Sequence, residues 1–538
     1  MRIYLFLSIL LLTSCTKVSQ QKREESGENE KLPAWGDQMD GTYANPIIWA
    51  DYNNPFVMQH GVDYYMVCAS HHFMGMPVLH SRDMVNWKLI NRIYREIKSK
   101  EEYDIPGKAY KRGSWAPTMV YHEGYFIMYV INSTDGLYMT RAKDPAGEWE
   151  PIRLIHEVER WEDPYVYWDD DGEAYFLHSG KRVAPVTIHR MNREGTRILD
   201  DGKVILEPNG HNPFIIKKNG YYYLFAAGGK DSQQMVGRAK NILGPYENKV
   251  VLEKGGRGPS PGGGGFVELP DGSAWFFHHV GIERHGRMPF LEPVKWVDGW
   301  PQMGEDRDGN GIGEPIDGYP KPMPSEPEFI TRFYDDFTSP LILDEWYWNH
   351  NPNPERFSTG DGKLTIRADT LYAMSGTDGS FEPVSFEEDD IRRAKNTLAF
   401  MPTGVKGEGV AKMDFHDLAE GQRAGLAFFG QDYFWVGVFR ENEQVYLVKY
   451  TNQGKQKIQP VEKKQIWIQA QVDNGNGRLA WSMDGADFHM LPDTIFFKRQ
   501  WFENHKIALF SYNVRKPEGS ISFDWFRYEF VPGFPDAP

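Results

Sequence analysis

Three residues in this chain have side chains suited to proton transfer or to holding a reacting water, and each stands just before a proline. Asn54 and Asp163 directly precede a proline, and His211 lies two residues before one. A carboxylate or an imidazole can donate or accept a proton near neutral pH, whereas an amide can only hold a substrate or a water. An Asp before Pro also commonly caps a turn. Their comparable places in a repeated phrase favour one shared site.

That phrase recurs five times and predicts the elements that position these residues. Each copy has a predicted inner strand, a Gly-containing turn and an aromatic second strand, with a spacing of roughly 50 to 60 residues that is typical of propeller blades. Five blades around an axis bring the starts of their inner strands to one central pocket. The copies begin at Asn54-Pro55-Phe56-Val57, Ala116-Pro117-Thr118-Met119, Asp163-Pro164-Tyr165-Val166, Asn212-Pro213-Phe214-Ile215 and Gly265-Phe266-Val267.

Five further residues are candidates for the pocket, each with a structural alternative. Trp115 could stack on a sugar or pack in the core. Arg287 could bind sugar hydroxyls, and Asp51 is the carboxylate nearest in sequence to the start of the first copy. His278 or His279 could help to hold a central cation or be an ordinary turn histidine.

A second metal candidate lies after the repeats. Its spacing fits the oxygen ligands of a calcium loop, although no helices flank it and its last acid is an Asp. The sequence thus leaves calcium possible and gives no sign of an organic cofactor, since it has no Walker A, dinucleotide-binding or zinc pattern. The loop ligands would be Asp306, Asp308, Asn310, Glu314 and Asp317.

The strand patterns predict two all-β domains. Residues 43–322 are predicted to form a five-bladed β-propeller. The Gly-, Pro- and Asp-rich stretch 300–327 follows its predicted strands and is interpreted as a linker. Residues 330–531 contain many short alternating runs separated by turns, which predicts a β-sandwich.

The first residues predict export. Arg2 and the apolar run 3–12 are typical of a signal peptide, predicted over 1–14 and too short to span a membrane. A small residue before Cys15 resembles a bacterial lipobox, which implies lipidation of Cys15 and a flexible tether over 15–42. We therefore expect a lipid-anchored protein of a bacterial cell envelope, periplasmic or surface-exposed, with a soluble secreted protein as the alternative.

The amino-acid composition limits the classes of partner that the protein is expected to bind. Aromatic residues make up 14% of the chain, and such rings build β-sheet cores and stack on sugars. The net charge of -15 argues against nucleic acid or an anionic membrane surface, because both call for basic patches. We expect an oligosaccharide or polysaccharide partner, and membrane contact only through the lipid anchor.

These features together resemble glycoside hydrolase family 43 in its form with an appended concanavalin-like β-sandwich. The resemblance covers nearly the whole mature chain. Matching stretches include Asn45-Pro46-Ile47-Ile48-Trp49-Ala50-Asp51, His80-Ser81-Arg82-Asp83-Met84-Val85-Asn86-Trp87, Lys218-Asn219-Gly220-Tyr221-Tyr222-Tyr223 and Trp348-Asn349-His350-Asn351-Pro352.

The resemblance implies an inverting, exo-acting hydrolase of β-xylosides or α-L-arabinofuranosides at the non-reducing ends of plant or algal polysaccharide fragments. Three axial carboxylates would serve as base, acid and tuning group, with acid and base roughly 6.5 to 9.5 Å apart. Asp163 matches the tuning position. Asn54 stands at the base position and His211 at the acid position.

Two explanations of these substitutions stay open. In one, His211 is the acid, as in the similar glycoside hydrolase family 117, and the base is Asp51, Glu162 or a water held by Asn54. In the other, the chain binds sugar without hydrolysing it. A propeller scaffold with no sugar ligand is a third class, which export and the sandwich partner argue against.

Overall fold

A computed structural model describes the chain over most of its length. The described residues are 36–105, 112–132, 134–180, 184–228, 233–255, 262–325, 332–371, 376–377, 383–384, 389–451, 453–498 and 503–531. They contain no α-helix and three short 3-10 turns, Glu101–Asp104, Pro354–Arg356 and Ile391–Arg393. The described part of the chain has no helix long and apolar enough to cross a membrane.

The first domain is a propeller of five antiparallel four-stranded sheets, and each copy of the repeat supplies the two inner strands of one blade. The blades are β2 Phe56–His60, β3 Asp63–Val67, β4 Pro77–Ser81 and β5 Lys88–Arg92; β6 Trp115–His122, β7 Tyr125–Asn132, β8 Gly136–Ala142 and β9 Arg153–Glu157; β10 Trp161–Trp168, β11 Ala174–Gly180, β12 Val186–Met191 and β13 Lys203–Leu206; β14 Gly210–Lys218, β15 Tyr221–Gly228, β16 Gln233–Ala239 and β17 Glu247–Leu252; and β18 Gly265–Glu268, β19 Ala274–Ile282, β20 Gly286–Val297 and β21 Trp300–Met303.

Aromatic side chains of the inner strands pack around the propeller axis. The ring centroid of Phe56 lies 5.7 Å from that of Tyr165 and 6.0 Å from that of Phe214, and the last two are 6.2 Å apart. The fifth blade closes on the first through a parallel bridge between Phe56 and Gly264. A small strand pair, β1 Thr42–Ala44 with β22 Gly318–Pro320, joins the two ends of the domain. Three rings from the first, third and fourth blades therefore meet close to the propeller axis.

The segment predicted as a linker is partly propeller. Trp300–Met303 is the outer strand of the fifth blade, paired with Val294–Val297, and Trp300 is buried. Its Pro and Gly neighbours gave it the composition of a linker, but Trp300 and Met303 bury apolar surface against the blade.

The second domain is a sandwich of two large sheets. Each sheet has eight strands; the first contains Gln465–Asp473 and the second contains Lys506–Asn513. In the first sheet Ile466, Ile468 and Ala470 are buried, and they alternate with partly exposed or polar neighbours as a half-buried strand requires.

The strands of this domain have the following bounds: β23 Arg332–Asp335, β24 Trp346–Trp348, β25 Phe357–Ser358, β26 Leu364–Arg367, β27 Asp369–Thr370, β28 Gly376–Thr377, β29 Pro383–Val384, β30 Leu398–Phe400, β31 Lys406–Asp414, β32 Gln422–Phe429, β33 Tyr433–Glu441, β34 Gln444–Thr451, β35 Gly454–Pro460, β36 Gln465–Asp473, β37 Asn476–Ser482, β38 His489–Phe496, β39 Lys506–Asn513 and β40 Ser520–Val531. The first sheet has the order β25-β26-β40-β31-β36-β37-β38 with β23 beside β40, and the second the order β24-β30-β39-β32-β33-β34-β35 with β27 beside β39. The strands β28 and β29 form a separate pair.

Candidate active site

In four blades the residue before the repeated proline has a left-handed backbone. The φ angles are 47° at Asn54, 39° at Ala116, 57° at Asp163 and 51° at Asn212. A residue before proline is normally extended, and a left-handed non-glycine residue costs about 1–3 kcal/mol, a strain that is often found at functional sites. The strand register shifts at this point in the second, third and fourth blades. These four blades thus begin with the same left-handed residue near the axis.

This register corrects the prediction that Asn54, Asp163 and His211 hold comparable places. Asn212 is the residue of the fourth blade that matches Asn54 and Asp163, because it directly precedes the proline and has positive φ. His211 lies one residue earlier, in the place that Glu162 holds in the third blade. In the third and fourth blades, two successive positions therefore contribute to the site.

Asp163 is the most heavily hydrogen-bonded of these side chains, with 7% of its surface exposed. Its Oδ2 accepts from Ser179 Oγ at 2.7 Å and from the backbone N–H of Asn212 at 3.0 Å. Its Oδ1 accepts from Asn212 Nδ2 at 3.1 Å. The Nδ1 atom of His211 lies 3.3 Å from Oδ2. The carboxylate thus ties the third blade to the fourth.

The same contact sets the charge of His211. The hydrogen bond to Asp163 raises the pKa of His211; burial opposes this rise, and the negative charges of Asp163 and Glu162 add to it. Burial would raise the pKa of Asp163, but His211, Ser179 and the Asn212 amide lower it below the usual range. An imidazolium beside a carboxylate is therefore more favoured here than for a free imidazole. With Nδ1 directed at Asp163, and 36% of the side chain exposed, Nε2 is the ring nitrogen available to a ligand.

On the other side of the axis, Asn54 is held by a cation. Arg287 Nη1 donates to Asn54 Oδ1 at 2.8 Å and to Asn53 Oδ1 at 3.0 Å. Asn54 Nδ2 faces Asn212 Oδ1 at 3.5 Å, and that oxygen also accepts from the Gly263 amide at 2.9 Å. A chain of polar contacts thus runs from Asp163 around the axis to Arg287. The Arg287 guanidinium binds Asn54, the residue at the position predicted for the base, and does not stand alone in the pocket.

Asp51 lies behind Arg287 and not in the pocket. It is 7% exposed; its Oδ1 accepts from the Arg287 amide at 2.8 Å and its Oδ2 from the Asn504 amide at 2.6 Å. Burial raises its pKa, and the charge of Lys506 opposes the rise. These contacts argue against the prediction that Asp51 binds sugar, because both oxygens face the protein interior.

Trp115 is also packed inside. It is 6% exposed, and its ring meets that of His71 edge-on with centroids 4.7 Å apart. The core alternative therefore describes Trp115 better than stacking on a sugar.

The two histidines predicted near a central cation are buried. His278 has no exposed surface, and its Nε2 lies 3.0 Å from Glu292 Oε1. His279 is 5% exposed, and its amide donates to the Gly262 carbonyl. Neither belongs to a group of three potential ligands among the described residues.

The described chain has one such group, formed by Glu162, Asp163 and His211. One ligand atom from each lies within 4.8 Å of the others. Two carboxylates and an imidazole could hold a divalent cation, although Asp163 is already used by several donors.

The predicted calcium loop does not bring three of its carboxylates together. Within the described residues, Asp306 Oδ2 accepts from the Gly311 amide, and Asp308 contacts Asn310. Glu314 pairs instead with Arg307 at 3.0 Å. The contacts are those of a hydrogen-bonded turn, and the geometry lends no support to calcium there.

Cys68, the cysteine that the structure describes, is not part of this site. Cys15 lies outside the described residues, and Cys68 is buried, where burial raises the pKa of its thiol well above the usual range.

Two contributors to the site were missed from the sequence. Asn212 precedes a proline as Asn54 and Asp163 do, so the repeated dipeptide itself was the available signal. Ser179 lies across the sheet from Glu162, and only the pairing of the strands reveals its contact with Asp163.

The fold and the site define a class of protein: a five-bladed propeller with a polar axial site in which an imidazole is held by a buried carboxylate. Comparison with known proteins agrees. The model of glycosyl hydrolases family 43 matches residues 43–301, and the model of the beta xylosidase C-terminal concanavalin A-like domain matches residues 334–529.

Individual relatives extend over both domains. A beta-xylosidase of Formosa agariphila is 33% identical over 97% of each chain. A non-reducing end alpha-L-arabinofuranosidase of Bacteroides ovatus is 29% identical over 77% of this chain and 79% of its own. A solved structure described as a bifunctional GH43-CE protein of Bacteroides eggerthii superposes with a TM-score of 0.78 at 25% identity, covering 94% of this chain and 65% of that one.

This chain belongs to glycosyl hydrolase family 43 and is a glycoside hydrolase. The relatives give no support to the alternative of a sugar-binding protein without activity.

Proposed function

We propose that the protein removes single xylose or arabinofuranose units from the non-reducing ends of plant or algal polysaccharide fragments, with inversion, and that His211 is its general acid. The names of the relatives support the sugar class. The observation that carries the assignment of the acid is the 3.3 Å contact between His211 Nδ1 and the buried Asp163 carboxylate.

His211 suits the acid step for three reasons. Asp163 holds the ring by Nδ1, which orients Nε2 as the donor toward the oxygen of the scissile bond. The raised pKa keeps the ring protonated at higher pH than a free imidazole. Asp163 keeps its charge and compensates the imidazolium until the proton leaves.

The attacking water belongs on the opposite side of the sugar, where Asn54 and Arg287 lie. Glu162 stands on the side of His211, within the 4.8 Å group, and so is badly placed as an inverting base. Asn54 can hold a water but cannot take its proton. In this proposal the water attacks the anomeric carbon as the leaving oxygen receives the His211 proton, and the water's own proton then passes to solvent.

The test compares leaving groups. Wild type and His211→Ala are assayed on xylobiose and on 2,4-dinitrophenyl β-D-xyloside, with the corresponding arabinofuranosides in parallel. Loss of the acid should lower kcat/KM on the disaccharide by about 10²–10⁴-fold, while the dinitrophenolate, which leaves without a proton, should be affected far less.

A matched control exists in the sandwich, where exposed His416 lies 2.6 Å from Asp414. His416→Ala removes the same kind of pair far from the axis and should leave both rates unchanged. Equal losses on both substrates in His211→Ala would contradict the acid role. A wild type that releases no monosaccharide from any pentoside would contradict the proposed substrate.

We also propose that the protein is exported and anchored by lipid at Cys15. The support is the sequence of residues 1–15. In a bacterial host, Cys15→Ser should move the protein from the membrane fraction to the soluble fraction and abolish labelling with a fatty-acid probe. Unchanged fractionation and labelling would exclude the anchor.

A further inference from the structure

A short segment of the sandwich lies buried against the propeller behind the active site. Glu503 is 3% exposed, Asn504 9% and Lys506 2%. Polar and charged side chains are seldom buried to this degree unless they are paired, so their partners indicate what the segment holds in place.

One set of partners leads to Arg287. The backbone N–H of Asn504 donates to Asp51 Oδ2 at 2.6 Å, and Lys506 Nζ lies 3.6 Å from the same oxygen. Asp51 Oδ1 in turn accepts from the Arg287 amide at 2.8 Å, and the Arg287 guanidinium holds Asn54. The sandwich is therefore three contacts away from the residue at the base position.

A second set leads to the same place by another path. Glu503 Oε1 accepts from the His71 amide at 2.8 Å, and Oε2 lies 2.9 Å from His72 Nδ1. The His71 ring contacts Asn53 Nδ2 at 3.2 Å through its Nδ1, and Asn53 Oδ1 accepts from Arg287. The two paths meet at the Arg287 guanidinium.

Opposite charges in this cluster favour one another. Burial would lower the pKa of Lys506, but Asp51 and Glu503 outweigh it and the pKa is raised. Burial would raise the pKa of Glu503, but Lys506 and His72 lower it to about 2. Glu503 and Lys506 thus favour each other's charged form, and removing one of these charges weakens the compensation of the other.

The backbone is adapted to this arrangement. Gly286 has φ 97°, and a Cβ built there would lie 2.4 Å from Asp51 Oδ1. A glycine beside Arg287 lets the Asp51 carboxylate reach the chain that carries the guanidinium.

Resting on the proposed hydrolase function, we infer that Glu503, Asn504 and Lys506 of the sandwich are positioning residues of the active site, acting through Asp51 and Arg287 on Asn54. The sandwich then completes the water side of the site, while His211 and Asp163 on the acid side are held by the propeller alone. The segment belongs to the hydrolytic machinery rather than to a separate sugar-binding module.

A double-mutant cycle in the full-length protein tests this. Glu503→Gln keeps the shape of the side chain and an acceptor for the His71 amide but removes the charge. We expect kcat to fall by about tenfold or more with KM little changed, since small displacements of a reacting group are costly. In an Asn54→Ala background the same change should have almost no further effect, because the residue through which it acts is gone.

A merely structural role gives a different result. If Glu503→Gln only reduced the fraction of folded protein, its effect on the rate would multiply with that of Asn54→Ala. The two changes in activation free energy would then be additive. The control is Asp389→Asn, which removes a sandwich carboxylate 2.7 Å from Arg423 and should leave kcat per folded molecule unchanged. Additivity, or wild-type kcat in Glu503→Gln, overturns the inference.

A failure of this inference can be distinguished from a failure of the proposed function. If Glu503→Gln lacks a cooperative unfolding transition and is therefore not folded, Asp51→Asn tests the same path from the propeller side. The same loss of kcat is expected for it. A wild type that is inactive on every pentoside refutes the proposed function, whereas an active wild type with an indifferent or additive Glu503→Gln refutes only the role of the sandwich.

Discussion

Replacing Asp163 with asparagine should weaken hydrolysis and move its pH dependence in a defined direction. The change keeps the shape of the side chain but removes the charge that faces His211 Nδ1 at 3.3 Å. It also turns an N–H₂ group toward Ser179, Asn212 or His211, all of which direct donors at the carboxylate. At least one contact is therefore lost.

The direction follows from the pKa of His211. That pKa is raised, chiefly by the hydrogen bond to Asp163 and against burial, so removing the carboxylate must lower it. A general acid works only while protonated, and activity falls as pH rises through its pKa. The high-pH limb of the kcat/KM profile should therefore move to lower pH in Asp163→Asn. Stability follows the same sign, because a raised His pKa stabilises the fold below the unfolded value and the gain is lost as pH rises through the folded pKa.

The size of the rate effect can be worked out from the strength of the hydrogen bond between Asp163 and His211. A hydrogen bond to a charged group contributes about 1.5–3 kcal/mol, which corresponds to about 10- to 150-fold in rate if the interaction is lost in the transition state. The assay is kcat/KM on xylobiose across about pH 4 to 9, chosen to span the titration of histidine. Asp414→Asn, which removes the carboxylate of the remote exposed pair with His416, is the matched control and should leave the profile unchanged. A high-pH limb that stays in place or moves upward in Asp163→Asn would refute the acid role of His211.

Two other predictions concern the same axis. Asn54→Asp should fold normally, because Arg287 Nη1 already donates to Asn54 Oδ1 at 2.8 Å. It should raise kcat by about tenfold or more, because the new carboxylate supplies a base. An unchanged or lower kcat in a folded variant would place the proton acceptor elsewhere. Zinc ions should inhibit competitively by binding Glu162, Asp163 and His211, and Glu162→Gln should weaken this inhibition several-fold; inhibition that is noncompetitive or insensitive to Glu162→Gln would exclude the site.

The fold was predictable because its signal is repeated and local. Five copies of one phrase mark the inner strands, and the alternation in runs such as Trp467–Val472 marks the sandwich. The fifth outer strand at Trp300–Met303 escaped this logic. Its few residues have no period of their own, and only the neighbouring strand explains why Trp300 is buried.

The site was predictable only where its residues are anchored to the repeat. Asp163 directly precedes a proline of the phrase and His211 lies two residues before one, and the two side chains meet in the structure. Asp51 was assigned to the pocket because it is close to Asn54 in sequence, but three residues along a turning chain are enough to direct a side chain to the opposite side of the backbone. Glu503 lies more than four hundred residues from its partner His71, a contact for which sequence offers no local pattern.

The two sides of the axis are therefore built in different ways. On the acid side, His211, Asp163 and Ser179 come from adjacent blades and hold one another directly, so their geometry depends on the propeller alone. On the water side, Arg287 holds Asn54 only while Asp51 holds Arg287, and Asp51 depends on a buried ammonium from the other domain. Changes in the sandwich should accordingly alter the attack of water without altering the leaving-group dependence that reports on His211. This separation can be measured within one set of variants, because an acid-side defect grows as the leaving group becomes poorer and a water-side defect does not.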